Sequence, residues 1–162
     1  EEIVEDEVED FLPNLSEVSQ RRILFTIRMQ KLTEFALRLL KQKVVSPEEI
    51  MANLGKETFE ASKRHSVRER NHFLLGKAMN QQQSFLRDLY DVSLPKIEEL
   101  CSTALGEGAY GAKLSGSGMG GSIIALVKGE MEGRRVVDAC LSAGARKGWV
   151  SKVDGGVRVE KP

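Results

Sequence analysis

A chain of 162 residues with 24 basic and 24 acidic side chains carries no formal net charge, which removes the long-range attraction that draws proteins onto nucleic acid. The length suits one domain with a real core. No apolar run is long enough to span a bilayer and no signal peptide opens the sequence, so the expectation is a cytoplasmic protein with neither membrane nor nucleic-acid partners.

Taken in chain order, residues 1–10 are strongly acidic, broken by Ile3, Val4 and Val8; they read as a solvated start, and 1–15 as an acidic linker or tail. Pro13-Asn14-Leu15-Ser16 reads as a turn into a helix running to Gln42, capped by Asn14 or Ser16. Ile23, Leu24, Ile27, Leu32, Phe35, Leu39 and Leu40 recur at helical spacing and face a core, while Arg21, Arg22, Arg28, Lys31 and Arg38 read as a solvated face. Ser46-Pro47-Glu48-Glu49 is a capping box with proline at the first helical position, and Gly55 weakens or ends its helix. Ser66-Val67-Arg68-Glu69 repeats the box ahead of a helix that buries Phe73, Leu74, Ala78, Phe85, Leu86 and Leu89, with Gln81, Gln82 and Gln83 in its middle. His65 and His72 have no partner at metal-ligand spacing and read as surface residues, so no metal site is expected. Cys101 and Cys140 lie far apart in apolar helical contexts and read as buried free thiols.

Ser93 reads as the cap of the next helix, which buries Ile97, Leu100, Cys101 and Leu105 and stops at Gly106-Glu107-Gly108. Strands follow at Tyr110–Leu114 and Ile123–Val127. A helix from Glu132 to Arg146 turns Val136, Val137, Ala139, Cys140 and Leu141 inward and ends at Gly148. Trp149–Val153 and Val157–Val159 read as strands joined at Asp154-Gly155-Gly156. The fold class is therefore α+β: residues 16–106 mostly helical, residues 109–160 a sheet plus one helix. Four antiparallel strands are expected, with helices on one face.

The most unusual stretch is Lys113-Leu114-Ser115-Gly116-Ser117-Gly118-Met119-Gly120-Gly121-Ser122, directly ahead of the apolar run Ile123–Val127. Clustered glycine implies a backbone shape that side chains would block. Successive amides in such a bend can converge on an anion. No Gly-Lys-Ser/Thr closes the stretch and a strand rather than a helix follows, so it is neither a Walker loop nor a dinucleotide fingerprint. From composition alone, a phosphate-facing loop and a close-packed Gly-rich hairpin both stand.

The same residues resemble the third, C-terminal motif of the GHMP small-molecule kinases. Lys113, Leu114, Ser115, Gly116, Gly118, Gly120 and Gly121 match it; Ser117 takes the small position and Ser122 replaces the usual cysteine. Upstream, Gly76-Lys77-Ala78-Met79-Asn80 and the run from Ser84 to Leu100, with its Tyr90-Asp91-Val92-Ser93-Leu94-Pro95, resemble the galactokinase branch in particular. Gln81-Gln82-Gln83 departs from the Ser-His pair of that branch. The resemblance implies a GHMP C-terminal domain over 16–162, with a ferredoxin-like sheet. It implies an ATP- and Mg²⁺-dependent transfer of phosphate to a small-molecule hydroxyl, most simply galactose. Ser115, Gly116, Ser117, Gly118, Met119, Gly120 and Gly121 would face the ATP phosphates, with Lys113 as a candidate neighbour. The family's main phosphate loop, its substrate motif and its catalytic Asp with an Arg partner lie in an N-terminal domain, so no catalytic residue is expected here. That domain is the implied partner, in the same chain or a separate one, and this chain alone is expected to be silent. A mevalonate kinase-like enzyme and a non-catalytic, metabolite-binding relative of galactokinase are the alternatives.

Overall fold

The computed structural model describes residues 3–152. A short helix α1 (Glu5–Val8) and a 3-10 turn (Leu12–Asn14) lead into α2 (Glu17–Leu40). Ser16 caps α2 by accepting the Ser19 amide, and Gln42, at φ 54°, closes it in a left-handed turn. At α3 (Pro47–Leu54) the capping box is complete: Ser46 Oγ accepts the Glu49 amide at 3.2 Å, and the Glu49 carboxylate accepts the Ser46 amide at 3.0 Å. Gly55, at φ 82°, ends that helix, one of the two outcomes expected of it, and starts α4 (Lys56–Ser62), a helix that the sequence reading does not include. Ser66 caps the long α5 (Val67–Asp88).

Helix α6 (Pro95–Gly106) is followed by β1 (Gly111–Ser115), β2 (Ser122–Leu126) and α7 (Glu130–Ser142). The strands pair antiparallel, Gly111 opposite Leu126 through Ser115 opposite Ser122. Alternation sends Ala112, Leu114, Ile123, Ala125 and Val127 into the core formed with α6 and α7. A second cluster gathers α2, α3 and α5 around Leu32, Phe35, Leu39, Ile50, Leu74 and Ala78.

Helix α5 touches both clusters because it runs against β1 at backbone distance. A Cβ on Gly76 would overlap the Tyr110 backbone, and one on Gly111 would overlap Gly76. Two polar side chains one helical turn apart on α5 then serve the strand: Ala112 N–H donates to Asn80 Oδ1 (2.9 Å) and Leu114 N–H to Gln83 Oε1 (2.8 Å). These amides would otherwise be orphaned at a strand edge, which costs about 1–3 kcal/mol for a buried group.

Several expectations change. The basic residues of α2 are not merely solvated: Arg21 and Arg22 pair with Asp91, Arg28 with Glu5 and Arg38 with Glu49. The start of the chain is tied to α2 through Glu5. Ser93 does not cap α6; Leu94 holds the N-cap position, because Ser93 Oγ is engaged with Glu98 and Gln83. Helix α7 ends at Ser142, since Gly144 at φ 96° turns the chain and Ala145 N–H returns to Cys140 O (2.9 Å). Leu141 and Leu40 are exposed, 39% and 60%, each just off its helix's buried face. The described sheet has two strands. Trp149–Lys152 is not in a strand, because Gly148 and Val150 lie on α7 against Val137 and Gly133; residues 153–159 lie outside the described residues.

Candidate functional site

The hairpin between β1 and β2 presents residues 115–121 at the surface, with Ser115, Gly116, Ser117, Met119 and Gly121 exposed. Gly116, Gly118, Met119, Gly120 and Gly121 all have positive φ, from 59° to 129°. This is a wide left-handed excursion, not a two-residue turn. One bond anchors its middle: Met119 N–H donates to Val92 O at 2.8 Å. Among the described residues, the amides of Gly116, Ser117, Gly118, Gly120 and Gly121 donate to no protein acceptor. Successive unpaired amides in a turn are donors available to an anion.

The glycines serve two different needs. At Gly118 a Cβ would sit 2.5 Å from Val92 Cβ and 2.9 Å from Val92 O, so the turn lies directly on the segment after α5. At Gly120 a Cβ meets nothing within 4 Å; φ 129° is what demands glycine there. The close packing expected of a Gly-rich hairpin is present at Gly118, while Gly120 borders open space.

The segment beneath the turn is held from two directions. From α2, Arg21 and Arg22 reach Asp91 at 3.2 and 3.3 Å, Arg22 donates to Leu89 O, and the Arg22 guanidinium lies 4.8 Å above the Tyr90 ring, which stacks on Phe25 at 4.4 Å. Asp91 takes φ 55°, a conformation unusual for a side-chain-bearing residue. From α5 and α6, Gln83 Nε2 donates to Ser93 Oγ (2.8 Å) and Glu98 Oε1 (2.6 Å), and Arg87 donates to the other Glu98 oxygen at 3.1 Å. Burial works to raise the Glu98 pKa, but hydrogen bonds from Ser93, Gln83 and Arg87 together hold it below the ordinary glutamate value.

Lys113 is half-buried on β1, opposite Ile124, and burial lowers its pKa. Among the described residues its ammonium group makes no hydrogen bond or ion pair, and it lies outside the turn. Asp88 and Asp91 are committed to Arg87 and to the α2 arginines. His65 stacks on Phe73 at 4.5 Å. Cys101 and Cys140 are free and buried; burial pushes the Cys101 thiol up to about 12 and raises Cys140 as well, so neither is a nucleophile near neutral pH. No cluster of acidic, His or Cys side chains suited to a metal occurs among the described residues.

Sequence reasoning missed the Val92 carbonyl and the pair Asn80 and Gln83. The available signal was two amides three residues apart on a helix face that is otherwise apolar.

Helices packed behind a two-stranded antiparallel sheet, with a glycine-rich hairpin exposed at its end, define an α+β domain. The chain belongs to the GHMP kinase C-terminal family: residues 63–146, over half of its length, match the model described as GHMP kinases C terminal. It is similar to the galactokinase of Saccharomyces cerevisiae, 43% identical over 58 residues, which cover 36% of this chain and 11% of that protein. It is also similar to the galactokinases of Bacillus subtilis, 36% over 67 residues (41% and 17%), and Streptomyces coelicolor, 32% over 90 residues (45% and 23%). The matches thus span a small part of these relatives' lengths, between 11% and 23%.

Proposed function

We propose that the chain is the C-terminal part of an ATP-dependent kinase that phosphorylates a hydroxyl of galactose. The observation that carries this is the exposed turn at 115–121 with five uncommitted amides, read together with galactokinase as the name of the curated relatives above. In this reading the amides of Gly116, Ser117, Gly118, Gly120 and Gly121 bind phosphate oxygens, and the Ser115 hydroxyl donates to a phosphate or substrate oxygen. Bound ATP supplies the phosphoryl group and Mg²⁺ neutralises its charge. Lys113 adds positive charge from the neighbouring strand. The base, the metal ligands and the substrate contacts come from an N-terminal GHMP domain docked over the turn, so the chain alone is silent. Residues 16–162 form one such domain. The buried free thiols favour a reducing compartment, the cytoplasm.

The test joins the chain to an N-terminal galactokinase domain and measures ATP consumption with galactose, mevalonate and homoserine. Turnover with galactose, abolished by Gly120→Val at unchanged helix content, is the expected result. Turnover with mevalonate alone would reassign the substrate, and none with any alcohol would remove the kinase reading.

A further inference from the structure

Gln83 is 4% exposed and is one of two polar side chains in the described core. Every hydrogen-bonding atom of its amide is used: Oε1 accepts Leu114 N–H at 2.8 Å, and Nε2 donates to Ser93 Oγ at 2.8 Å and Glu98 Oε1 at 2.6 Å. Glu98, paired with Arg87 at 3.1 Å, is a carboxylate and only accepts. The nitrogen end of Gln83 must therefore face Glu98, and the oxygen end must face the strand; the amide cannot flip without setting an oxygen against a carboxylate.

Both partners of this amide adjoin anchors of the Gly-rich turn. Leu114 immediately precedes Ser115, where the turn begins. Ser93 immediately follows Val92, whose carbonyl holds the Met119 amide in mid-turn. We infer that Gln83 is a positioning residue that fixes, through one side-chain amide, both the entry and the midpoint of the 115–121 turn. The turn's own residues supply no bond between these two anchors, so the spacing of its free amides is set from α5. The consequence for phosphate rests on the function proposed above; the positioning itself does not.

The test uses this chain, with amide hydrogen exchange and chemical shifts read by NMR. Ala112 is the internal reference, because its amide is held by Asn80 at 2.9 Å and not by Gln83. In Gln83→Met, Leu114 should exchange about tenfold faster relative to Ala112, as expected for one lost buried hydrogen bond. The amides of Met119 and of Gly116 to Gly121 should shift while helix content stays constant. Parallel acceleration of Leu114 and Ala112, or unmoved turn amides, would overturn the inference, because a merely structural loss of stability speeds both strand amides alike. If Gln83→Met does not fold, Ser93→Ala decides: displaced Met119 and Leu114 resonances with Ala112 unchanged support positioning, and no displacement refutes it. Pyrophosphate is added to the wild-type chain separately. If it moves no turn amide, the phosphate-facing reading fails while the exchange ratio still judges Gln83.

Discussion

At the scale of single residues, the turn depends on one contact that no side chain can enter. Gly118 combines φ 90° with a Cβ direction blocked by Val92. Gly116 has φ 102° but open space around it, so comparing alanine at the two positions separates backbone strain from steric overlap. Gly116→Ala should cost about 1 kcal/mol through the left-handed conformation alone. Gly118→Ala adds overpacking against Val92 and should cost about 2–4 kcal/mol in all, measured by urea denaturation, with loss of the Met119 to Val92 bond. Equal costs at the two sites would mean that the turn does not rest on Val92. The glycines were plain in the sequence; which was needed for φ and which for contact was not, because Val92 is 26 positions earlier and nothing local records the approach.

Elements were legible wherever their ends carry local chemistry. Ser16, Ser46 and Ser66 cap the helices they precede, since a short side chain reaching an amide two or three residues on is a purely local event. The start of α6 was misread for the opposite reason: Ser93 has cap chemistry, but Gln83 and Glu98 compete for it from outside the segment. That competition gives α6 a pH signature. With the folded pKa of Glu98 held below 4.5, the ionised carboxylate stabilises the folded state above the unfolded value, and the contribution is lost as pH falls through the folded one. Replacement by Glu98→Gln should therefore reduce thermal stability near neutral pH. The gap between the two proteins should close progressively as pH drops below 4.5. A gap that stays constant down to the acid transition would show that Glu98 contributes shape and not charge.

For the whole molecule, the question is whether a helical half and a sheet half fold as one. The predicted elements change from helical to sheet near residue 106, but the two apolar clusters divide earlier, since Ile97, Leu100, Cys101 and Ala104 of α6 belong to the cluster of the sheet. The structure joins them through α5, which contributes Leu74 and Ala78 to one cluster and packs Leu86 against the other. The join was hidden in the sequence because it is made by residues with little individual signal: Gly76 against Gly111, and two amides on a long helix. The ion pair of Glu69 with Lys128, at 2.7 Å, spans the same seam but is exposed and adds little. If α5 couples the halves, truncation on either side must weaken both. Leu74→Ala and Leu114→Ala, each at residues 1% exposed, should each cost about 2–5 kcal/mol. In calorimetry each should lower one common transition, with the calorimetric and van't Hoff enthalpies still equal. Independent halves would instead give two transitions, with each substitution displacing only its own. In that outcome α5 would belong to the helical half alone, and the turn at 115–121 would have to hold its shape without support from Gln83.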